Sequence, residues 1–189
     1  MLYEFLKGTT VANQFTIYDC INATDQWLES THNYIQWCFP NRKPSSVVAD
    51  APILTDDELY KMLNDEVCIR NIKSMTNRMI QFYNSRPVKS SFNHNCRRIT
   101  RILLFLKEID NNECKRFYRN VAERLILQYQ KSPLQMFGIN ERVIDYWTRA
   151  LLEEPNTRTL SATDVAYFNG YDKAIENCIE ELAKRRDSQ

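Results

Sequence analysis

The only two histidines of the chain, His32 and His94, each lie in a short motif beside other chemically active residues. Imidazole gains and loses a proton near neutral pH, so two histidines facing one cleft would form an acid/base pair. The nearby Ser30, Cys38 and Cys96 lack any sequence pattern of an activated nucleophile. An enzyme that uses His32 and His94 as acid and base is therefore an alternative interpretation and not the preferred one.

The second motif also predicts an anion site. On a helix from His94 to Ile109, His94, Arg98 and Arg101 form a polar column close to the helix N-terminus, where a carboxylate or phosphate binds well. Asn95 falls within the apolar stripe of the same helix and needs a hydrogen-bond partner there. In the simpler interpretation, Asn95 fixes a neighbouring backbone and the arginines pair with acidic residues of the first helices.

The first motif, from Thr31 to Pro40, supplies aromatic and amide groups. We expect one helix from Asp25 to Phe39, capped by Thr24. Its helical projection places His32 and Gln36 with Glu29 on a polar edge, and it places Trp37 on the far side from the apolar stripe. That stripe comprises Trp27, Leu28, Tyr34, Ile35, Cys38 and Phe39. Trp37 thus requires either another helix, which we favour, or a ligand pocket.

Cysteine spacing does not indicate a metal site. The six cysteines are scattered, with no CxxC pair, no HxxxH pattern and no histidine at zinc-ligand spacing. We therefore expect no metal and no cofactor, and a reduced cytoplasmic chain. Neither a signal peptide nor a transmembrane segment is predicted, because the longest clean apolar run, Ile102 to Leu106, is short.

Composition and periodicity predict an all-α fold. The chain of 189 residues contains only three glycines, too few for the turns of a doubly wound sheet. We expect a single compact domain of about seven or eight helices over residues 1–153, with a loop and an amphipathic helix over 154–189 packed on it. The expected elements are a turn of helix at 16–21, helices at 25–39, 55–63, 65–83, 94–109, 113–130 and 141–153, a short element at 132–137, a loop at 40–52, and a final helix. The apolar residues of each helix recur at helical spacing and are expected to face inward. A capping box of Thr55 and Glu58 is expected to begin the helix at 55–63, and Asn64 is expected to cap the next helix.

Charge is unevenly distributed along the chain. The net charge is −6 over residues 1–66, +10 over 67–149 and −3 over 150–189. The basic middle part either pairs with the acidic ends on folding, which we favour, or forms a surface for nucleic acid. No polybasic run is present, which makes nucleic acid the weaker prediction.

Several motifs, in the same order, resemble the conserved region of the opioid growth factor receptor family. They are HNYIQWCFP from His32, AP.LT from Ala51, M..FY from Met79 and HN..RITRIL from His94. FLKG from Phe5, DQWLE from Asp25 and IDYWTRA from Ile144 extend the resemblance to about four fifths of the chain, as in short microbial members. The sequence departs from the family pattern at Cys38, Cys96 and Arg97.

The resemblance implies a receptor-like signalling protein without catalytic activity. Animal members are described as nuclear-associated receptors for the peptide met-enkephalin, so the resemblance implies a peptide or protein partner and allows nuclear or peripheral membrane association. The preferred prediction is therefore a non-enzymatic helical domain that binds a peptide or a small anionic ligand. Its candidate ligand-binding residues are His32, Tyr34, Gln36, Trp37, His94, Asn95, Arg98 and Arg101.

Overall fold

A computed structural model of the chain describes residues 1–42, 48, 51–85, 93–132 and 139–152. Residues Met1–Leu151 form one compact unit. The predicted element at 132–137, most of the predicted loop at 40–52 and the predicted C-terminal helix lie largely or wholly outside the described residues. None of the described helices is both long and apolar enough to cross a membrane.

The fold is all-α, as predicted. The helices are α1 (Leu2–Lys7), α2 (Ile17–Ile21), α3 (Asp25–Ser30), α4 (Ile35–Cys38), α5 (Asp56–Leu63), α6 (Glu66–Ser85), α7 (Asn93–Ile109), α8 (Asn111–Phe117), α9 (Arg124–Lys131) and α10 (Glu141–Leu152). A π-helical turn at Tyr118–Glu123 joins α8 to α9 without interruption. In the described part of the chain, β-structure is limited to two isolated bridges.

The predicted single helix over 25–39 is wrong, because the chain breaks between α3 and α4. Thr31 has an extended backbone with φ −92° and ψ 126°. In a continuous helix, the carbonyls of Leu28 and Thr31 would accept from backbone N–H groups four residues later. Here both carbonyls accept from the Arg98 guanidinium of α7, at 2.8 Å each. A side chain from a distant helix thus replaces the backbone bonds that would have continued α3.

Threonine side chains cap the starts of three helices, α2, α3 and α5. Thr24 Oγ1 accepts from Trp27 N at 3.2 Å, and Thr16 forms a capping box with Asp19. Thr55 Oγ1 accepts from Glu58 N at 3.3 Å, but the Glu58 carboxylate accepts from the backbone N–H groups at the start of α1. The predicted Thr55 capping box is therefore only half formed.

The start of α6 corrects a second prediction. Asn64 was expected to cap this helix, but its side chain donates to Tyr60 O and so serves the end of α5. Asp65 Oδ1 accepts instead from the N–H groups of Val67 and Cys68, at 2.9 and 3.1 Å. Carboxylates are good N-caps because they satisfy unpaired amides and favour the positive end of the helix dipole.

The core is built around α6 and α7. Helices α1, α2 and α5 pack on α6, while α8 packs on α7. The predicted inward faces of α7 and of the α8 to α9 helix are buried: Ile99, Ile102, Leu103, Leu106, Ile109, Cys114, Phe117, Val121, Leu125 and Ile126. Trp147 of α10 is fully buried and donates from its indole Nε1 to Cys96 O at 3.2 Å. This arrangement fixes the N-terminal half of α7 against the break between α3 and α4.

Candidate binding surface

The two histidines meet at the surface, where the break after α3 lies against the first turn of α7. The rings of His32 and His94 are 5.4 Å apart between centroids and nearly perpendicular, at 72°. His32 is exposed, and 34% of the His94 side chain is accessible. The break in the predicted helix is what brings His32 onto α7. We call His32, His94 and their neighbour Glu29 the histidine surface.

Glu29, at the end of α3, connects the histidine surface to the polar residues beneath it. Its Oε1 lies 3.3 Å from His94 Nε2, an ion-pair distance when that ring is protonated. Its Oε2 accepts a hydrogen bond from Asn95 Nδ2 at 3.2 Å. Glu29 was not among the predicted ligand-binding residues, although the helical pattern placed it on the same polar edge as His32. Its position one helical turn before His32 was the sequence feature that could have identified Glu29 as part of the site.

Arg98 is a buried cation that bonds the backbone where α3 ends. It is 4% exposed, and its guanidinium donates to Leu28 O and Thr31 O. The guanidinium also lies 5.4 Å from the centre of the Tyr34 ring, a favourable cation–π distance. These contacts consume most of its donors, so Arg98 supports the surface from below and is not itself accessible.

The contact between Arg98 and His32 determines which nitrogen of the exposed imidazole ring carries the proton. Arg98 Nη2 lies 3.3 Å from His32 Nδ1. Because a guanidinium donates hydrogen bonds and cannot accept them, Nδ1 must be the acceptor, and the ring proton then resides on Nε2. His32 therefore offers a hydrogen-bond donor to solvent.

The aromatic and amide residues of the first motif lie mostly in the core. Tyr34 is fully buried, its hydroxyl contacts the sulfur of Met79 at 3.7 Å, and burial raises its pKa above the ordinary value. Gln36 is 5% exposed. Trp37 is half-buried, with its ring centre 5.6 Å from that of Phe5 in α1. A helix thus covers much of Trp37, as favoured from sequence, and these residues are not brought together with the histidines.

Arg101 lies one turn beyond Arg98. Its Nη1 donates to Phe39 O at 3.4 Å, a long hydrogen bond, and burial lowers its pKa from the ordinary value. Asn95 is 6% exposed and is satisfied by Glu29 and Arg98. The predicted polar column is therefore divided: the His94 side chain is partly accessible, Arg98 is buried and bonded, and Arg101 is half-buried.

None of the three candidate nucleophiles, Ser30, Cys38 and Cys96, is in an activated state. Ser30 Oγ donates to Gln26 O at 2.9 Å, within its own helix. Cys38 and Cys96 are buried, and burial raises the pKa of both thiols, that of Cys96 to about 12. Across the described ranges, no group of three His, Cys, Asp or Glu side chains is arranged to hold a metal ion.

Several cations of the basic middle part pair with carboxylates. Arg78 of α6 contacts Asp25 Oδ1 at 2.5 Å and also donates to Ala23 O. Arg116 pairs with Glu113 at 2.7 Å, and Lys73 lies 3.7 Å from Asp110 Oδ2. Such pairs lower the positive potential that a nucleic acid would meet.

Comparison with known proteins finds a match to one family model. Residues 10–91 match the family model of the opioid growth factor receptor (OGFr) conserved region, a range that includes Glu29 and His32 and ends shortly before His94. The motif from His94 to Leu103, which also suggested this family, lies outside the matched range. No curated protein and no solved structure matches the chain.

Proposed function

We propose that this chain, whose residues 10–91 match the model of the opioid growth factor receptor conserved region, is a non-catalytic helical domain that binds a peptide segment at the histidine surface. The observation that carries the proposal is an accessible His32, His94 and Glu29 held by a buried network of Asn95 and Arg98. Side chains whose rotamers are fixed from below lose little entropy when a ligand binds.

A peptide fits this surface better than a small anion does. Glu29 places a negative charge 3.3 Å from His94, and Arg98 donates to backbone carbonyls instead of facing outward. The surface therefore offers both donors and acceptors, as a peptide backbone with mixed side chains requires. A carboxylate or phosphate alone would encounter the Glu29 charge with only histidine and the half-buried Arg101 to offset it.

The experiment that tests the proposal is a selection of peptides. A displayed library of random peptides is enriched on the folded chain and then depleted on a His32→Ala/His94→Ala double variant. Tyr60→Ala serves as the matched control, because Tyr60 is 69% exposed on α5, is not part of the histidine surface, and its removal should not affect the core.

We expect peptides that bind the wild type and Tyr60→Ala equally and bind the double variant at least about 10-fold more weakly, the effect of losing about 1.4 kcal/mol of contacts. Failure to enrich any sequence, or enrichment of peptides that the double variant binds equally well, would contradict the proposal. Circular dichroism of each variant establishes that the fold is retained.

The acid/base enzyme remains a second candidate because His94 lies beside a carboxylate and 5.4 Å from a second imidazole. In the absence of an activated side-chain nucleophile, water would have to attack the substrate, with one histidine as general base. A panel of nitrophenyl esters and phosphates tests this candidate. Turnover that Glu29→Gln and His94→Asn both abolish would favour the enzyme over the binding domain.

A further inference from the structure

A concave site lies next to the break between α3 and α4, and Thr31 and Asn33 on either side of His32 contribute to its lining. It is a groove of about 650 Å³, lined by Asn13, Gln14, Asp19, Trp27 and Asn33 among others. We call it the amide groove. Its volume is within the range of small-molecule sites in proteins. Asn33 lines this groove, whereas its neighbour His32 contacts α7. The chain between α3 and α4 therefore contributes residues to both surfaces.

The amide groove is rich in uncharged hydrogen-bonding groups and carries a single carboxylate. Its lining includes four carboxamides, two threonine side chains and the indole of Trp27, and no cation. Asp19 is the one carboxylate among the lining residues, and its Oδ2 accepts from Thr16 N and Thr16 Oγ1 at 2.7 and 2.8 Å. An anionic ligand would find no countercharge in this lining, whereas a neutral ligand with many hydroxyl groups would find donors and acceptors.

Two aromatic neighbours hold the Trp27 ring in place, and part of the side chain stays accessible to solvent. Its ring lies 5.8 Å from Phe15, edge to face, and 5.2 Å from Tyr34, and the side chain is only half-buried. Among the described residues, none accepts a hydrogen bond from the Trp27 indole N–H, and the half-buried Asn33 carboxamide likewise has no partner there. Polar groups that line a groove and lack a hydrogen-bond partner within the protein can form hydrogen bonds to a bound ligand.

The backbone at the rim of the groove is conformationally unusual. Asn13 and Gln14 form the turn of a small hairpin closed by Ala12 and Phe15, with φ values of 49° and 72°. Two consecutive residues with positive φ are typical of a type I′ turn, which favours Asn and Gly and disfavours Gln at the second position. Strain of this kind concentrates where a side chain is needed at a defined position.

We propose that the amide groove binds a neutral saccharide, with a sugar ring against the open part of Trp27 and its hydroxyls bonded by the carboxamides of Gln14 and Asn33. Aromatic rings present a flat apolar surface to the C–H groups of a sugar, and carboxamides both donate to and accept from neighbouring hydroxyls. This site is separate from the peptide surface, so each proposal stands or fails by its own variants.

The test uses saturation-transfer difference NMR on the full chain with glucose, galactose, mannose, N-acetylglucosamine, maltose and cellobiose. We expect saturation transfer to at least one of them, and no gain when a phosphorylated form replaces the neutral sugar. Asn33→Ala and Trp27→Phe should each weaken binding about 3-fold to 10-fold, the effect of one lost neutral hydrogen bond. Gln128→Ala, which removes an exposed carboxamide from α9, should leave binding unchanged.

Gln14→Gly separates a binding role from a folding role. Glycine adopts positive φ without strain, so this variant should melt at the same temperature as the wild type or higher, and yet bind the sugar more weakly. The proposal is overturned if no neutral saccharide receives saturation from the wild type, or if the groove variants bind as well as Gln128→Ala. It is also overturned if phosphorylated sugars bind more tightly, or if peptides bind at these residues in preference to sugars.

Discussion

Arg98 Nη2 lies 3.3 Å from His32 Nδ1, so a buried guanidinium holds an exposed imidazole in one tautomer. The same guanidinium terminates α3 by donating to the two backbone carbonyls of Leu28 and Thr31. One side chain therefore determines both where the first motif breaks and how its histidine faces solvent.

The first prediction concerns Arg98→Ala. The substitution leaves the carbonyls of Leu28 and Thr31 buried without their donor, and we expect it to lower the free energy of unfolding by about 2–4 kcal/mol. Arg98→Lys should recover only part of this loss, because an ammonium cannot reproduce the planar guanidinium. Urea denaturation followed by circular dichroism measures the change.

Arg97→Ala is the matched control, because Arg97 is the adjacent arginine of α7 and is exposed. Its effect should stay within about 0.5 kcal/mol, as for most surface substitutions. If Arg98→Ala were no more destabilising than Arg97→Ala, the capping role of Arg98 would be wrong.

The second prediction concerns pH. Asp65 accepts from the Lys7 ammonium, from the backbone N–H of Cys68 and from the Tyr3 hydroxyl, and these bonds hold the pKa of its carboxyl well below the ordinary value. A pKa that is lower in the folded state means that the stabilisation is fully present above the unfolded carboxyl pKa of about 3.9. The stabilisation is then lost as the pH falls further.

Asp65→Asn should therefore melt at a lower temperature than the wild type at neutral pH, and the difference should narrow below about pH 4. Thermal melts of both proteins between acidic and neutral pH measure this. Asp57→Asn provides the control, since Asp57 pairs with Lys61 on the exposed side of α5. A difference that stays constant throughout the acidic range would show that the Asp65 charge contributes nothing.

These contacts show which parts of the molecule could be predicted from sequence. The inward faces of α6, α7 and α9 follow from the 3.6-residue spacing of their apolar residues, and the caps at Thr16, Thr24 and Asn140 follow from local patterns. Local rules suffice because both partners of each contact lie within one or two turns.

The histidine surface depends on contacts between residues far apart in sequence. Arg98 reaches Leu28 across 70 positions, and the Glu58 carboxylate reaches the start of α1 across more than 50. The 3.6-residue spacing of apolar residues predicted one continuous helix through His32, and hydrogen bonds from Arg98 to Leu28 and Thr31 break that helix instead. The candidate ligand-binding residues therefore stay a prediction, and their division into buried supports and accessible groups required the three-dimensional structure.

The third prediction concerns the cysteines. Burial raises the pKa of Cys68, Cys96 and Cys114 to about 12 and also raises that of Cys38. Because the thiolate is the reactive form, the buried thiols should resist a disulfide reagent until the chain unfolds. In a Cys178→Ser variant, which leaves only the five buried cysteines, we expect no rapid reaction near pH 8 and five reacting thiols in denaturant. Rapid reaction of any thiol in the folded variant would contradict this burial.

The most direct test of the binding surface is a ¹H–¹⁵N spectrum of the imidazole nitrogens, recorded with and without a selected peptide. Since the chain has only two histidines, the spectrum contains only two rings. We predict that the free protein holds His32 with its proton on Nε2, and that the peptide shifts the resonances of both His32 and His94. The proposed role of this surface would be contradicted if the peptide bound without shifting the imidazole resonances of either histidine. It would also be contradicted if His32 carried its proton on Nδ1.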